Sequence, residues 1–397
     1  MGRLPDSRAV FVPFTIPGER VSLRLVEEKR RYARAEIIEV LQPSPLRIAP
    51  HCQHYQECGG CNYQHLSYPS QLEFKTAILR DQLNRIGHIP DPPIQNIQPS
   101  PQPWNYRNHI QFHLNDTGRL GYRASGSSRV VPVSECHLPE EPLNILWPHL
   151  EFEAGTGVDR VSLRLGDAQD MLVMLSGRSP ETPMLELESG ISVVHQYERE
   201  SLVLAGEGHI LIKVKPSPPI SEYSFKVSAG SFFQVNTRMA ATLVDHLLMN
   251  LPDKMDTLLD VYCGVGLFSA FLAPRASRLI GVELSESACD DFVDNLDEFD
   301  HVEIYQDAAE KVLPTLQVKA DVVLVDPPRS GLQPDALDAI LSMQPQTIAY
   351  ISCDPATLAR DAGRLIKGEY VLQKITPFDL FPQTHHIESV SFFTSPG

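Results

Sequence analysis

Three short stretches in the last third of the chain carry residues that could do chemistry together. Ile351-Ser352-Cys353-Asp354-Pro355 sets a thiol at the end of a predicted strand and the start of a predicted helix. A helix N-terminus favours the thiolate over the thiol. Asp326-Pro327-Pro328-Arg329-Ser330-Gly331 sets a carboxylate on a stiff turn, and FPQTHHIE, residues 381–388, brings a second carboxylate, Glu388, close to the C-terminal end. A buried cysteine is most often a small hydrophobe, and that is the reading for Cys263 and Cys289. Cys353 differs because it ends a strand and precedes Asp-Pro.

The element that must position them is LLDVYCGVGLFS, residues 258–269. Leu258–Val261 reads as a short buried strand, Gly264 and Gly266 as a tight turn, and Leu267 onward as a helix. A second strand, Leu279–Val282, ends in Glu283, where an acid can accept hydrogen bonds from ribose hydroxyls. A dinucleotide site shows a third glycine; here Ser269 stands in its place and Asp260 precedes the turn. That pattern suits S-adenosylmethionine, which has no pyrophosphate to cradle. The bland alternative is a tight βα turn with no ligand. A thiol, a base and a methyl-sulfonium donor fit one reaction especially well. C5 of uracil is a poor nucleophile, but a thiolate added at C6 makes C5 enolate-like, so that it attacks the methyl group. A base then removes the C5 proton and the thiolate leaves. Glu388 is the natural base, and the target uracil must leave its stack or sit in a splayed loop.

Elsewhere, HCQHYQECGGC (residues 51–61) places Cys52, Cys58 and Cys61 in a C-x5-C-x2-C spacing, with Cys136 in a later loop as the fourth thiol. Four thiolates suit a [4Fe–4S] cluster or structural zinc. Zinc sites usually bring two C-x2-C pairs and this chain has one, which tips the reading toward iron–sulfur. Clustered cysteines in a cytosolic chain point to metal or catalysis rather than disulfides.

At 397 residues and 42% apolar, the chain is expected to form two or three globular domains. No apolar run is long enough for a bilayer and the N-terminus lacks a signal-peptide pattern, so a cytoplasmic location and no membrane are expected; the expected oligomeric state is a monomer. The net charge of −16 speaks against nucleic acid, but the acidity is local: residues 251–310 hold 14 acids and 3 bases, whereas residues 1–50 hold 9 bases and 6 acids. Nucleic acid needs a local basic face, not a basic protein.

Arg8–Ile48 reads as a small β module with Arg20, Arg24, Lys29, Arg30, Arg31 and Arg34 around Tyr32: an RNA grip, or equally a solvated hairpin. Ser70–Ile86 reads as a helix with a Ser70/Glu73 capping box and a buried stripe of Leu72, Ile78, Leu79, Leu83 and Ile86. A Pro-rich linker follows. Tyr106–Val133, with Arg107, Arg119, Arg123, Arg129, Trp104, Tyr106 and Tyr122, reads as a second RNA-facing surface or a plain hairpin. Residues 151–225 read as antiparallel β structure without chemistry. SAGSFFQVN, residues 228–236, marks a junction, with polar Gln234 facing the mouth of the site, and Met239–Leu251 a helix. Strands over 258–262, 279–283, 302–306, 321–326 and 347–352 predict a parallel sheet with helices on both faces, closed by an antiparallel pair, Tyr370–Ile375 and Ser389–Phe393. Tyr262, Glu283, Asp307, Asp326 and Cys353 all fall at or just after strand ends, where ligands sit in such sheets.

DVYCGVG, DPPRSG, SCDPATLARD and FPQTHHIE, in that order and preceded by FFQVN, resemble the RNA 5-methyluridine (uracil-C5) methyltransferase family, most of all its iron–sulfur branch acting on 23S ribosomal RNA. The resemblance implies a Rossmann-like class I methyltransferase domain over 231–397, a central β-rich domain with an iron–sulfur cluster over 51–230, and a TRAM-like β-barrel RNA-binding module over 1–50. It implies Cys353 as nucleophile and Glu388 as base. It implies Gln234, Tyr262, Glu283 and Asp326 as S-adenosylmethionine contacts, with Asp307 near the adenine, and Cys52, Cys58, Cys61 and Cys136 as cluster ligands. Asp354 stands where Asn is more usual in the family, and keeps a capping oxygen. Three other readings compete: a tRNA acceptor; an amino-directed methyltransferase, since Asp-Pro-Pro also resembles the (D/N)PPY signature, although Arg329 replaces its aromatic; and a non-enzymatic iron–sulfur RNA-binding protein.

Overall fold

The computed structural model describes residues 1–181, 190–198 and 200–395. Four strands, β1 (Gly2–Arg3), β2 (Ala9–Phe11), β3 (Arg20–Glu28) and β4 (Tyr32–Gln42), form the first sheet in the order β1-β2-β4-β3. Three register shifts between β3 and β4 curl this module around a small core of Val10, Ala33 and Ala35.

Helix α1 spans Tyr68–Arg85 and starts earlier than the sequence implies. Pro69 sits in its first turn, Ser67 precedes it, and the Ser70 hydroxyl meets the Ser67 hydroxyl at 2.9 Å instead of building a capping box. Its inward face is also different. Ile78 and Ile86 are exposed, while Gln71, Lys75, Leu79 and Leu83, an i, i+4 row, are buried. Polar partners on the C-terminal domain make that face possible. The Pro-rich segment after α1 runs along the edge of the C-terminal sheet, with bridges Ile94–Ile375 and Gln98–Phe378.

Next comes a seven-stranded sheet. Its strands are β5 (His109–Leu114), β6 (Leu120–Arg123), β7 (Val130–Pro132), β8 (Val158–Leu165), β9 (Met171–Gly177), β10 (Ile191–Tyr197) and β11 (Glu200–Ala205), ordered β11-β10-β9-β8-β5-β6-β7. A short helix α2 (Glu141–Leu146) packs on β8. The sheet is not wholly antiparallel: β9 and β10 pair in parallel. β12 (His209–Val214) and β13 (Tyr223–Ser228) make a separate hairpin.

The C-terminal domain opens with α3 (Thr237–Asn250), whose Asn236 side chain caps the Met239 amide. It continues through β14 (Met255–Val261), α4 (Leu267–Leu272), β15 (Ala276–Glu283), α5 (Glu286–Asn295), β16 (Val302–Gln306), α6 (Ala309–Val312), β17 (Val322–Val325), α7 (Pro334–Met343), β18 (Thr347–Ser352), α8 (Pro355–Lys367), β19 (Val371–Phe378) and β20 (Glu388–Thr394). The sheet order is β16-β15-β14-β17-β18-β20-β19; β14 to β18 are parallel, and β20 inserts antiparallel between β18 and β19. Alternate residues of the same strands feed two cores: Leu258, Leu279, Leu324 and Ile351 on one face, Leu259, Ile280, Val325 and Tyr350 on the other. That is why these strands read as continuous apolar runs. Helix α1 lends Leu79 and Leu83 to the second core.

Candidate active site

An open cleft of about 790 Å³ lies at the carboxyl ends of β14, β15, β17 and β18. Gln234, Tyr262, Glu283, Asp307, Asp326, Cys353 and Glu388 all line it. The sequence-predicted catalytic and cofactor residues, spread over more than 150 positions, therefore meet in one hollow.

The turn after β14 shapes its floor. Tyr262, Gly264 and Gly266 all have positive φ, at 66°, 55° and 89°. A Cβ on Gly266 would come within 2.4 Å of Leu296 Cδ1, so only glycine fits there. Tyr262 holds a strained conformation at the cleft wall. The Glu283 carboxylate accepts from Gly264 N (3.0 Å), Leu284 N (2.8 Å) and Ser285 N (2.7 Å). It thus fixes the turn and still has lone pairs free for hydroxyl donors. Ser269, in the place of a third glycine, donates to buried Asp260 at 2.6 Å. Burial pushes the Asp260 carboxyl up to about 7, against the Ser269 hydrogen bond. Asp326 is pushed up to about 7 as well, first by burial and then by Asp260 and Glu283. Gln234 is buried beside exposed Phe232, while Phe233 points into the core. Asp307 accepts from Ala308 N and Lys311 Nζ, which hold its carboxyl below the usual range.

Cys353 follows β18 and precedes α8, as the sequence predicts, but its protonation does not follow the expectation. The Asp354 carboxylate accepts the Ala356 and Thr357 amides, both at 2.9 Å, and so occupies the helix N-terminus itself. Burial, then the nearby Glu388 and Asp326, push the Cys353 thiol up to about 12. The thiol rests protonated, and its proton must leave as it attacks. Glu388 starts β20, opposite Phe378. It is buried, and burial followed by Asp326 holds its carboxyl well above the carboxylate range, with Arg329 and Lys75 pulling it down. Arg329, Phe381 and His386 complete the rim. Their motifs are plain in the sequence, yet nothing in a motif says which of its residues faces the cleft.

Cys52, Cys58, Cys61 and Cys136 line a second cavity of about 310 Å³, together with Arg107, Glu135, His137 and Tyr122. Burial pushes Cys58 up to about 11 and Cys61 up to about 12, and charge on Cys136 adds to both. Four thiols that oppose one another's ionisation gain most from a cationic centre. The Gly60 amide and the Tyr122 hydroxyl already donate to Cys58 Sγ and Cys136 Sγ. The donor set fits an iron–sulfur cluster. Cys52, Glu135 and His137 also bring donor atoms within 4.8 Å of one another, a set that would serve a single ion. This cavity corrects one expectation. Tyr106 and Tyr122 point inward, and Arg107 lines the cavity and stacks over Tyr106 and Phe381, so these three do not form an RNA-facing surface. Arg119, Arg123 and Arg129 remain exposed.

Comparison with known proteins gives a consistent picture. Residues 219–395 match the family described as tRNA (Uracil-5-)-methyltransferase, and residues 1–38 match the TRAM domain. An uncharacterised RNA methyltransferase of Thermosynechococcus vestitus is 34% identical, over 100% of this chain and 95% of its own. One from a Synechocystis strain is 35% identical, over 96% and 90%. Among solved structures, the tRNA (uracil-54, C5)-methyltransferase of Pyrococcus abyssi in complex with S-adenosyl-L-homocysteine superposes with a TM-score of 0.73 over 99% of this chain and 98% of that one, at 24% identity.

Proposed function

Because this chain belongs to the tRNA (uracil-5-)-methyltransferase family of RNA methyltransferases, with a class I methyltransferase fold and a TRAM domain at its N-terminus, we propose that it methylates uracil C5 in 23S ribosomal RNA through a covalent bond from Cys353 to C6. The observation that carries this reading is the convergence of Cys353, Glu388 and five strand-end or junction residues on one cleft.

S-adenosylmethionine, when bound, supplies an electrophilic methyl group on a cationic sulfur. Gln234, Tyr262, Glu283, Asp307 and Asp326 would hold it, Glu283 toward the ribose, Asp307 near the adenine and Asp326 beside the positive charge. Cys353 gives its proton to water in the open cleft and adds as the thiolate to C6; the electron pair moves to C5, which takes the methyl group as S-adenosylhomocysteine leaves. Glu388, raised by burial, must first give up its own proton to solvent; as carboxylate it then removes the C5 proton, the C5–C6 double bond re-forms and the Cys353 thiolate leaves. Burial of Glu388 raises its proton affinity, which suits a base. Arg329 and His386 at the rim would meet the RNA strand. Cys52, Cys58, Cys61 and Cys136 would hold a [4Fe–4S] cluster whose role is structural. We assign residues 1–50 to the TRAM module, 51–230 to the central cysteine-bearing domain and 231–397 to the methyltransferase domain.

The four-cysteine set favours ribosomal RNA, in line with the branch that the motifs resemble. The whole-chain likeness to the Pyrococcus abyssi tRNA enzyme favours tRNA as a second reading. RNA tritiated at uracil C5 tests both. C5 methylation must release tritium to water, dependent on S-adenosylmethionine and lost in Cys353→Ala. Release from a 23S fragment and not from tRNA supports the first reading; the reverse supports the second. Methyl transfer without tritium release would move the reaction off C5 and support an amino-directed enzyme.

A further inference from the structure

The loop 379–387 joins β19 to β20 and presents Glu388, yet much of its grip comes from outside its own domain. Lys75 of α1 donates to Asp379 Oδ1 at 2.6 Å and to the Phe381 carbonyl at 3.0 Å. Both charged side chains are 0% exposed. Gln71, one turn earlier on the same face, exchanges two hydrogen bonds with Gln383: it accepts from the backbone amide at 2.9 Å and donates to the side-chain oxygen at 3.0 Å. The Asn62 and Tyr63 amides, directly after Cys61, donate to the Gln383 carbonyl at 2.9 and 3.0 Å. Asn62 Oδ1 also meets His385 Nδ1 at 2.7 Å. Tyr106 Oη donates to the Pro382 carbonyl at 3.1 Å.

A buried ion pair is a poor way to gain stability, since apolar residues of similar size do as well or better. Lys75 sits in a helical row with Leu79 and Leu83, where another leucine would pack. What a leucine could not do is fix the direction of a backbone carbonyl two residues past Asp379.

We propose that Lys75 is a positioning residue for the final step: with Asp379 and the Phe381 carbonyl as its partners, it sets loop 379–387 so that Glu388 reaches the C5 proton of the methylated adduct. The assignment rests on the covalent mechanism proposed above. It separates two halves of the reaction. Attack by Cys353 and methyl transfer do not need Glu388, whereas release of the RNA does. A base displaced by about 1 Å loses on the order of a hundredfold in rate.

The test uses the full chain, ordinary uridine-containing substrate RNA and S-adenosylmethionine. Two quantities are read: S-adenosylhomocysteine formed in the first turnover, and protein–RNA adduct surviving denaturation, expressed per first-turnover product. That ratio does not change if only part of a variant is folded. Lys75→Met should keep the first turnover, lose steady-state turnover about a hundredfold, and accumulate methylated adduct as Glu388→Gln does. Lys75→Met/Asp379→Leu, which removes the orphaned charge, should regain thermal stability and still trap adduct. Asn62→Ala, a half-buried partner of the same loop, should trap adduct to a smaller extent. Parallel loss of first and later turnovers with no trapped adduct would overturn the proposal, as would normal release in the double variant. If the wild-type protein forms no adduct even with 5-fluorouridine RNA, the covalent mechanism itself fails and this assignment falls with it.

Discussion

Asp326 makes the proposed cofactor site sensitive to pH in a way that can be worked out. Its carboxyl is raised from an ordinary 3.8 to about 7, by burial first and then by Asp260 and Glu283. In the free protein it therefore holds a proton through most of the range between pH 4 and 7. A folded-state value above the unfolded one means that protonation favours folding: this contribution is fully present below about pH 4 and is lost as pH rises through about 7. A cationic sulfonium reverses the preference, because it favours the carboxylate. Binding S-adenosylmethionine should then release a proton and weaken as pH falls. If the bound-state value lies well below 5.5, affinity drops about thirtyfold from pH 8 to pH 5.5, close to tenfold, or about 1.4 kcal/mol, per unit below 7. S-adenosylhomocysteine carries no sulfonium and should show little of this slope. Titration calorimetry of both ligands across that range, in buffers of different ionisation enthalpy, reads affinity and proton release together. Asp260 is raised to about 7 as well, so the two acids titrate as a coupled pair; Asp326→Asn should remove most of the slope. Equal slopes for the two ligands, or an unchanged slope in Asp326→Asn, would refute the reasoning.

Other consequences follow from single contacts. Asp354→Ala removes the cap on two α8 amides and should cost about 1 kcal/mol of stability; freeing the helix end should also make Cys353 alkylate faster at pH 8, and slower alkylation would contradict the account. Lys75→Met leaves Asp379 buried and unpaired and should cost about 3–5 kcal/mol in denaturant unfolding, most of it regained in Lys75→Met/Asp379→Leu. Cys61→Ser, purified without air, should lose bound iron and sulfide and melt at lower temperature; wild-type protein carrying zinc instead of iron would count against the cluster.

The strand-end residues were legible because a doubly wound sheet leaves few places for a ligand. Once β14 and its glycine turn are recognised, Glu283, Asp326 and Cys353 follow from where the next strands stop. Glu388 was legible only as part of a motif, since β20 inserts out of chain order between β18 and β19. The resting state of Cys353 was not, because it depends on Glu388 and Asp326, which only the fold brings beside it. The buried face of α1 was misread for a related reason. Lysine at a core position looks solvated until its partner, Asp379, more than 300 residues away in sequence, is seen to meet it. The parallel pairing of β9 and β10 leaves no local trace, since each strand has the same alternation in either direction.

The central claim is the bond from Cys353 to the substrate base. RNA carrying 5-fluorouridine at the target site, incubated with S-adenosylmethionine and the intact protein, tests it most directly. Fluorine at C5 cannot be removed as a proton, so Cys353 should stay attached. The account predicts a denaturation-stable adduct whose mass shows one RNA and one added methyl group, mapped by proteolysis to Cys353 and absent from Cys353→Ala. Methylation of ordinary RNA with no such adduct on the fluorinated one would contradict it.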